Sequence, residues 1–137
     1  MLKVEVFAYQ WGWNFETPIC EEAGETKSWC VNGIYQEPLN FESCYNEQGF
    51  ALPNCLELPH GAIIHFKITS QDVLHAFYLP EIGIKQDAVP GLNTVAWLDT
   101  SVVEPRDEAY EIYCTEYCGE YHSNMLAKVY ITEVQNE

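Results

Sequence analysis

The chain has 137 residues, enough for one domain with a sizeable core and too few for a multidomain enzyme. A formal charge of -15, from 21 acidic and 6 basic residues, argues against nucleic acid as a partner and favours a cationic partner or a high-salt milieu. Hydrophobic residues make up 47%, yet the longest apolar runs are only a few residues, far below the roughly 20 that cross a bilayer as a helix.

The chain opens on the strand-like LKVEVFAY directly after Met1, with no charged n-region and apolar h-region, so no signal peptide is visible and the start reads as a trimmed boundary. QWGW follows, where Trp11, Trp13 and Phe15 share one parity, as strand packing would require. Residues 17–55 differ from all that surrounds them: little periodicity, much Glu, Asn, Gly and Cys. They read as a disulfide-stapled insertion within a single domain spanning 1–137. Loops of such length are usually functional or pinned by cross-links.

Four of the six cysteines, Cys20, Cys30, Cys44 and Cys55, lie in or beside this insertion. They read as two disulfides, implying an oxidising compartment or a thermophilic host. A structural zinc is the rival, but the paired C-x2-C knuckles it usually needs are missing. Three connectivities are possible; loop closure favours Cys20 with Cys30 and Cys44 with Cys55, the shortest loops.

Beyond residue 55, short alternating or β-branched runs recur: AIIHFKIT, HAFYL, TVAWLD, AYEIYC and LAKVYITEV, separated by turn signals such as LPHG, VPGLN and VEPRDE. In the first, Ala62, Ile64, Phe66 and Ile68 share one face and Ile63, His65, Lys67 and Thr69 the other, the period-2 pattern of a half-buried strand. The rhythm predicts an all-β sandwich or barrel without a long helix.

Between AYEIYC and LAKVYITEV stands C-x3-C-x3-H-x2-M, formed by Cys114, Cys118, His122 and Met125 with Glu116 and Gly119 inside it. This spacing would also line one face of a helix, where a Cys/Met stripe is ordinarily core. The strand-like flanks contradict a helix and make the segment a loop carrying four ligand-type side chains. Thiolate, imidazole and thioether are soft or borderline donors, and thioether is a familiar weak axial ligand for copper. A mononuclear blue site takes one cysteine, so the second points to thiolates bridging a metal pair, with one terminal ligand from His122 and another from elsewhere. His60 lies in a turn and His65 on the Lys67 face of its strand. His75, which starts a new apolar run, is the better candidate.

CTEYCGEYHSNM, with the upstream SQDVLHAFYLPEIGIKQDAVPG and the N-terminal YQWGWNFE, closely resembles the soluble copper-A domain of subunit II of haem-copper cytochrome c oxidases, in family order. The resemblance implies a cupredoxin-like Greek-key β-barrel or sandwich holding two copper ions. Cys114 and Cys118 would bridge them, His75 and His122 would be terminal imidazoles, and Met125 and the Glu116 carbonyl would be weak axial ligands. Trp11 matches the residue that takes electrons from a cytochrome c, and Asp72 with other exposed carboxylates would steer that basic donor. The Glu116 side chain matches a position that reaches a magnesium ion at the junction with oxidase subunit I, and Asp87 and Pro90 match a stretch near that junction.

The function implied is electron transfer from a cytochrome c-type donor through the copper pair to the haem of a terminal oxidase, on the extracytoplasmic face of a respiratory membrane. The domain performs no bond chemistry alone. Relatives usually carry two transmembrane helices ahead of it, so membrane attachment is expected only through such helices, absent here, or through partner subunits. Leu126 and Gly12 depart from the Pro and the aromatic residue that many relatives have, without removing a ligand. Two alternatives stand beside this reading: the copper-A domain of a nitrous oxide reductase, which shares the ligand loop, and a copper-binding or copper-delivery protein.

Overall fold

The structure is a computed structural model that describes residues 1–17, 19–22, 24–28, 30–31, 34–35, 44, 52–121 and 125–134. Among them run thirteen strands: β1 (Leu2–Tyr9), β2 (Gly12–Glu16), β3 (Ile19–Glu22), β4 (Glu25–Ser28), β5 (Cys30–Val31), β6 (Ile34–Tyr35), β7 (Cys55–Pro59), β8 (Ile63–Ser70), β9 (His75–Leu79), β10 (Ile84–Ala88), β11 (Thr94–Asp99), β12 (Tyr110–Cys114) and β13 (Leu126–Thr132). The one helical element among them is a 3-10 turn, Thr100–Val102. No helix among them is long and apolar enough to cross a membrane.

Alternation decides which face each strand buries. Leu2, Val4, Val6 and Ala8 of β1 are wholly buried, as are Ile64, Phe66 and Ile68 of β8. One sheet has the order β11-β8-β1-β2 and the other β10-β9-β12-β13-β7, and the chain crosses between them from β7 to β8, β8 to β9, β10 to β11 and β11 to β12. Their inner faces share one core, in which Phe66 packs on Phe77 with ring centroids 5.4 Å apart. Burying a side chain of that size stabilises the fold by about 1.5–3 kcal/mol. β1 runs parallel to β8, and β7 parallel to β13. This is the expected all-β, cupredoxin-like Greek-key arrangement.

The expected half-buried pattern holds for β8 but not for every strand. β7 buries Leu56, Glu57, Leu58 and Pro59 on both parities because its outer side is covered. Cys55 is bonded to Cys44, and the Cys44 backbone N–H donates to the buried Glu57 Oε1 at 2.6 Å. Cys20 and Cys30 form the other disulfide. Within 17–55, where periodicity is weak, two small ladders form, β3 with β4 and β5 with β6. Gly24, at φ +81°, turns the first of them, a conformation open to glycine at little cost. These strands lie outside the two large sheets, so they need no inward apolar parity.

Parallel β1 and β8 end at the same pole. There the Gln71 N–H donates to the Ala8 carbonyl at 2.8 Å, bringing the β8–β9 loop beside the β1–β2 turn. β9 starts and β12 ends at this pole, since Cys114 pairs with Phe77 in antiparallel register.

Candidate metal centre

His75 is the first residue of β9 and Cys114 the last of β12, so the antiparallel ladder itself delivers an imidazole and a thiol to one place. His75 is wholly buried, and its Nδ1 lies 3.7 Å from Cys114 Sγ. Cys118, four residues on, turns its Sγ back to 3.5 Å from that of Cys114. One ligand atom from each of His75, Cys114 and Cys118 falls within 4.8 Å of the others, and all three residues are buried. The Glu116 carbonyl oxygen is 3.1 Å from Cys114 Sγ, and Sδ of the wholly buried Met125 is 3.6 Å from Cys118 Sγ. His122 lies outside the described residues.

The donor chemistry suits a soft cation. Burial first, then contact with Cys114 and the negative charge of Cys114 and Asp72, push the Cys118 thiol up to about 12. That thiol stays neutral at neutral pH, and a thiophilic metal would displace its proton on binding. Sulfur, imidazole and a carbonyl, with no carboxylate oxygen in the cluster, match copper or zinc better than magnesium or calcium.

Further side chains pack around the cluster. Trp11 is half-buried at the β1–β2 turn and donates from Nε1 to the Cys118 carbonyl at 3.2 Å; Gln10 Nε2 donates to the same oxygen at 3.0 Å. Gly119 permits this approach. Its φ is +123°, and a Cβ there would lie 2.9 Å from Gln10 Nε2 and 3.0 Å from Trp11 Nε1. Tyr121 meets Trp11 edge-on, with centroids 4.8 Å apart. Trp13 is core, packed edge-on against Phe77 at 5.6 Å and 6.4 Å from the His75 ring. Its backbone N–H is held by Asn54 Oδ1 at 2.7 Å, one residue before the Cys44–Cys55 link.

Asp72 is partly exposed beside His75, with Oδ1 2.9 Å from Nε2. Burial pushes its carboxyl up, but hydrogen bonds from His75, Gln10 N–H and Val73 N–H outweigh that and hold it below its ordinary value. The Glu116 side chain is exposed, as is Asp87, which lies on β10, and Pro90 bridges to Ser70. The other described histidines are elsewhere. His65 packs against Trp97 with the rings tilted and their centroids 4.4 Å apart on the outer face of β8, and the His60 N–H donates to the Thr132 carbonyl.

Sequence reasoning passed over Gln10 and Tyr121. Gln10 adjoins Trp11 and Tyr121 falls inside the ligand loop, so proximity to assigned residues was the one signal available; nothing in their chemistry marks them as neighbours in space.

The model of the family described as cytochrome c oxidase subunit II, periplasmic domain, matches residues 2–132. The chain is 33% identical over 132 residues to heme-copper oxidase subunit 2 of Aeropyrum pernix, covering 96% of this chain and 44% of that protein. It is 33% identical over 139 residues to the alternative cytochrome c oxidase subunit 2 of Bradyrhizobium diazoefficiens, covering 98% of this chain and 48% of that one. The chain thus spans about half the length of the curated relatives it matches. Among solved structures, the periplasmic domain of subunit II of cytochrome oxidase from Bradyrhizobium japonicum superposes with a TM-score of 0.65 at 22% identity, over 96% of this chain and 84% of that one, a likeness of fold. The chain belongs to the family of the periplasmic domain of cytochrome c oxidase subunit II.

Proposed function

We propose that this chain is the electron-carrying domain of a haem-copper oxidase subunit II, working on the extracytoplasmic face of a respiratory membrane through a binuclear copper centre. The observation that carries the reading is the buried cluster of His75, Cys114 and Cys118, with Met125 Sδ and the Glu116 carbonyl at its edge. Two copper ions held there would supply a one-electron carrier, taking electrons from a cytochrome c-type donor and passing them to the haem of oxidase subunit I. Cys114 and Cys118 would hold the pair as thiolates, His75 and His122 as imidazoles, and Met125 and the Glu116 carbonyl as weaker donors.

The protein's own contribution is rigidity and insulation. β9 and β12 fix His75 and Cys114 to one ladder, so neither needs to move when an electron comes or goes. Trp11 would take the electron in, since its indole donates to the carbonyl of Cys118, one of the candidate ligands. The exposed Glu116 side chain is free to face subunit I, where it would help hold a magnesium ion. The domain spans 1–137, with 17–55 as its stapled insertion.

Burial of the ligands disfavours copper delivery, which needs exchangeable ligands at the surface. Copper titration with paramagnetic resonance tests the proposal. Two coppers per chain sharing one unpaired electron are expected, and Cys114→Ser or Cys118→Ser should abolish the paired signal. One copper per chain, or copper that leaves readily to a chelator, would sink it.

A further inference from the structure

The acidic side chain nearest His75 in sequence invites a role in steering a basic donor, but the partly exposed Asp72 carboxylate is already engaged by groups of the protein itself. Oδ1 accepts from the Val73 N–H at 2.6 Å and lies 2.9 Å from His75 Nε2. Oδ2 accepts from the Gln10 backbone N–H at 2.7 Å. Gln10 in turn spends its side-chain amide on the Cys118 carbonyl. Ser70 fixes the turn that presents the carboxylate: its Oγ accepts from the Asp72 N–H at 3.2 Å and donates to the Val73 carbonyl.

A carboxylate can only accept, so the ring nitrogen facing it must carry the hydrogen. In the neutral imidazole that leaves Nδ1 with its lone pair, and Nδ1 is the nitrogen turned to Cys114 Sγ. One carboxylate therefore touches both sides of the cluster: His75 directly, and Cys118 by way of Gln10.

We propose that Asp72 is a positioning residue of the metal centre. It holds His75 in the tautomer that leaves Nδ1 to the metal, and through Gln10 it braces the His75 loop against the loop of Cys118. The proposal rests on His75 being a metal ligand, as in the proposed function, and assigns Asp72 a structural task in place of a docking charge. Partners that orient a ligating imidazole are commonly worth about 10–100-fold in metal affinity.

Two measurements test it. In the metal-free chain, ring-nitrogen resonance of His75 should report hydrogen on Nε2 alone in the wild type and a mixture of tautomers in Asp72→Ala. In the copper-loaded chain, Asp72→Ala should lose copper to a competing chelator with about 10–100-fold weaker retention. Asp72→Asn, which keeps an acceptor oxygen but no charge, should stay closer to the wild type. Gln10→Ala should keep the tautomer while weakening copper retention, and wild-type retention in that variant would overturn the brace. An unchanged tautomer and unchanged retention in Asp72→Ala would overturn the proposal. So would variants at Asp72 that alter only the salt dependence of reduction by a basic cytochrome, the signature of a steering charge. A wild-type chain that takes up no copper pair would defeat the proposed function, yet the metal-free tautomer would still decide what Asp72 does.

Discussion

The two poles of the barrel are closed by different chemistry. At the far pole Thr100 is wholly buried, with Oγ1 donating to the Pro59 carbonyl at 2.6 Å and accepting the Ala62 N–H at 2.9 Å, while the His60 N–H closes on Thr132 at 2.9 Å. These are short bonds between good donors and acceptors. At the ligand pole the buried groups are Cys114, Cys118, Met125 and His75, in contact through sulfur at 3.5–3.7 Å. Thiol and thioether are weak donors and acceptors, so these contacts contribute far less than the bonds at the far pole. One end is finished by the chain itself. The other gathers soft ligand atoms whose strongest partner would be a cation.

The largest effect expected from this contrast is on pH. The Cys118 thiol is raised from 9.0 to about 12 in the fold, so its neutral form is favoured by folding. That stabilisation is present in full below pH 9 and is lost as pH rises towards 12, on the order of a few kcal/mol in all. The metal-free chain should therefore show a falling denaturation midpoint from pH 9 upwards. Titrating lysines and tyrosines contribute as well, and the Cys114→Ser, Cys118→Ser double variant subtracts them: its midpoint should fall less. Equal slopes in the two proteins would mean that the buried thiol is not what makes the ligand pole weak.

The far pole should respond in the opposite sense. Thr100→Val keeps the shape of the side chain but removes the hydroxyl, leaving the buried Pro59 carbonyl and the half-buried Ala62 N–H short of a partner at a cost of about 1–3 kcal/mol. Denaturant unfolding should register that loss, and copper stoichiometry and spectrum should not change. A Thr100→Val protein with an altered copper spectrum would show that the two poles are coupled.

Sequence carried the barrel well where strands are half-buried, as in β1 and β8, because inward parity leaves a period-2 trace. It gave no such trace for β7, which is covered on both sides, nor for β10, whose residues are alternately exposed and half-buried until Ala88. The soft character of the candidate site was legible because Cys114, Cys118 and Met125 crowd one loop. The geometry around it was not: Gln10 reaches Cys118 across more than a hundred residues, a contact made by the parallel pairing of β1 with β8 and by the loops that end there. Asp72 illustrates the limit best. Its charge is visible in the sequence, whereas its three hydrogen-bond partners, Gln10, Val73 and His75, depend on the turn that Ser70 fixes.

The smallest expected effect separates the ligands themselves. Met125 is wholly buried with Sδ 3.6 Å from Cys118 Sγ, whereas both cysteine sulfurs and His75 Nδ1 form the compact cluster. Met125→Leu is close to volume-conserving and should cost less than about 1.5 kcal/mol of stability. If Met125 serves the proposed copper pair as a weak donor, it tunes the metal without holding it, so the variant should keep two coppers and change only its reduction potential. Voltammetry and copper analysis on one preparation read both quantities. Loss of copper from Met125→Leu would move the thioether from tuning to holding, and the ligand pole would then depend on four side chains where the described cluster has three.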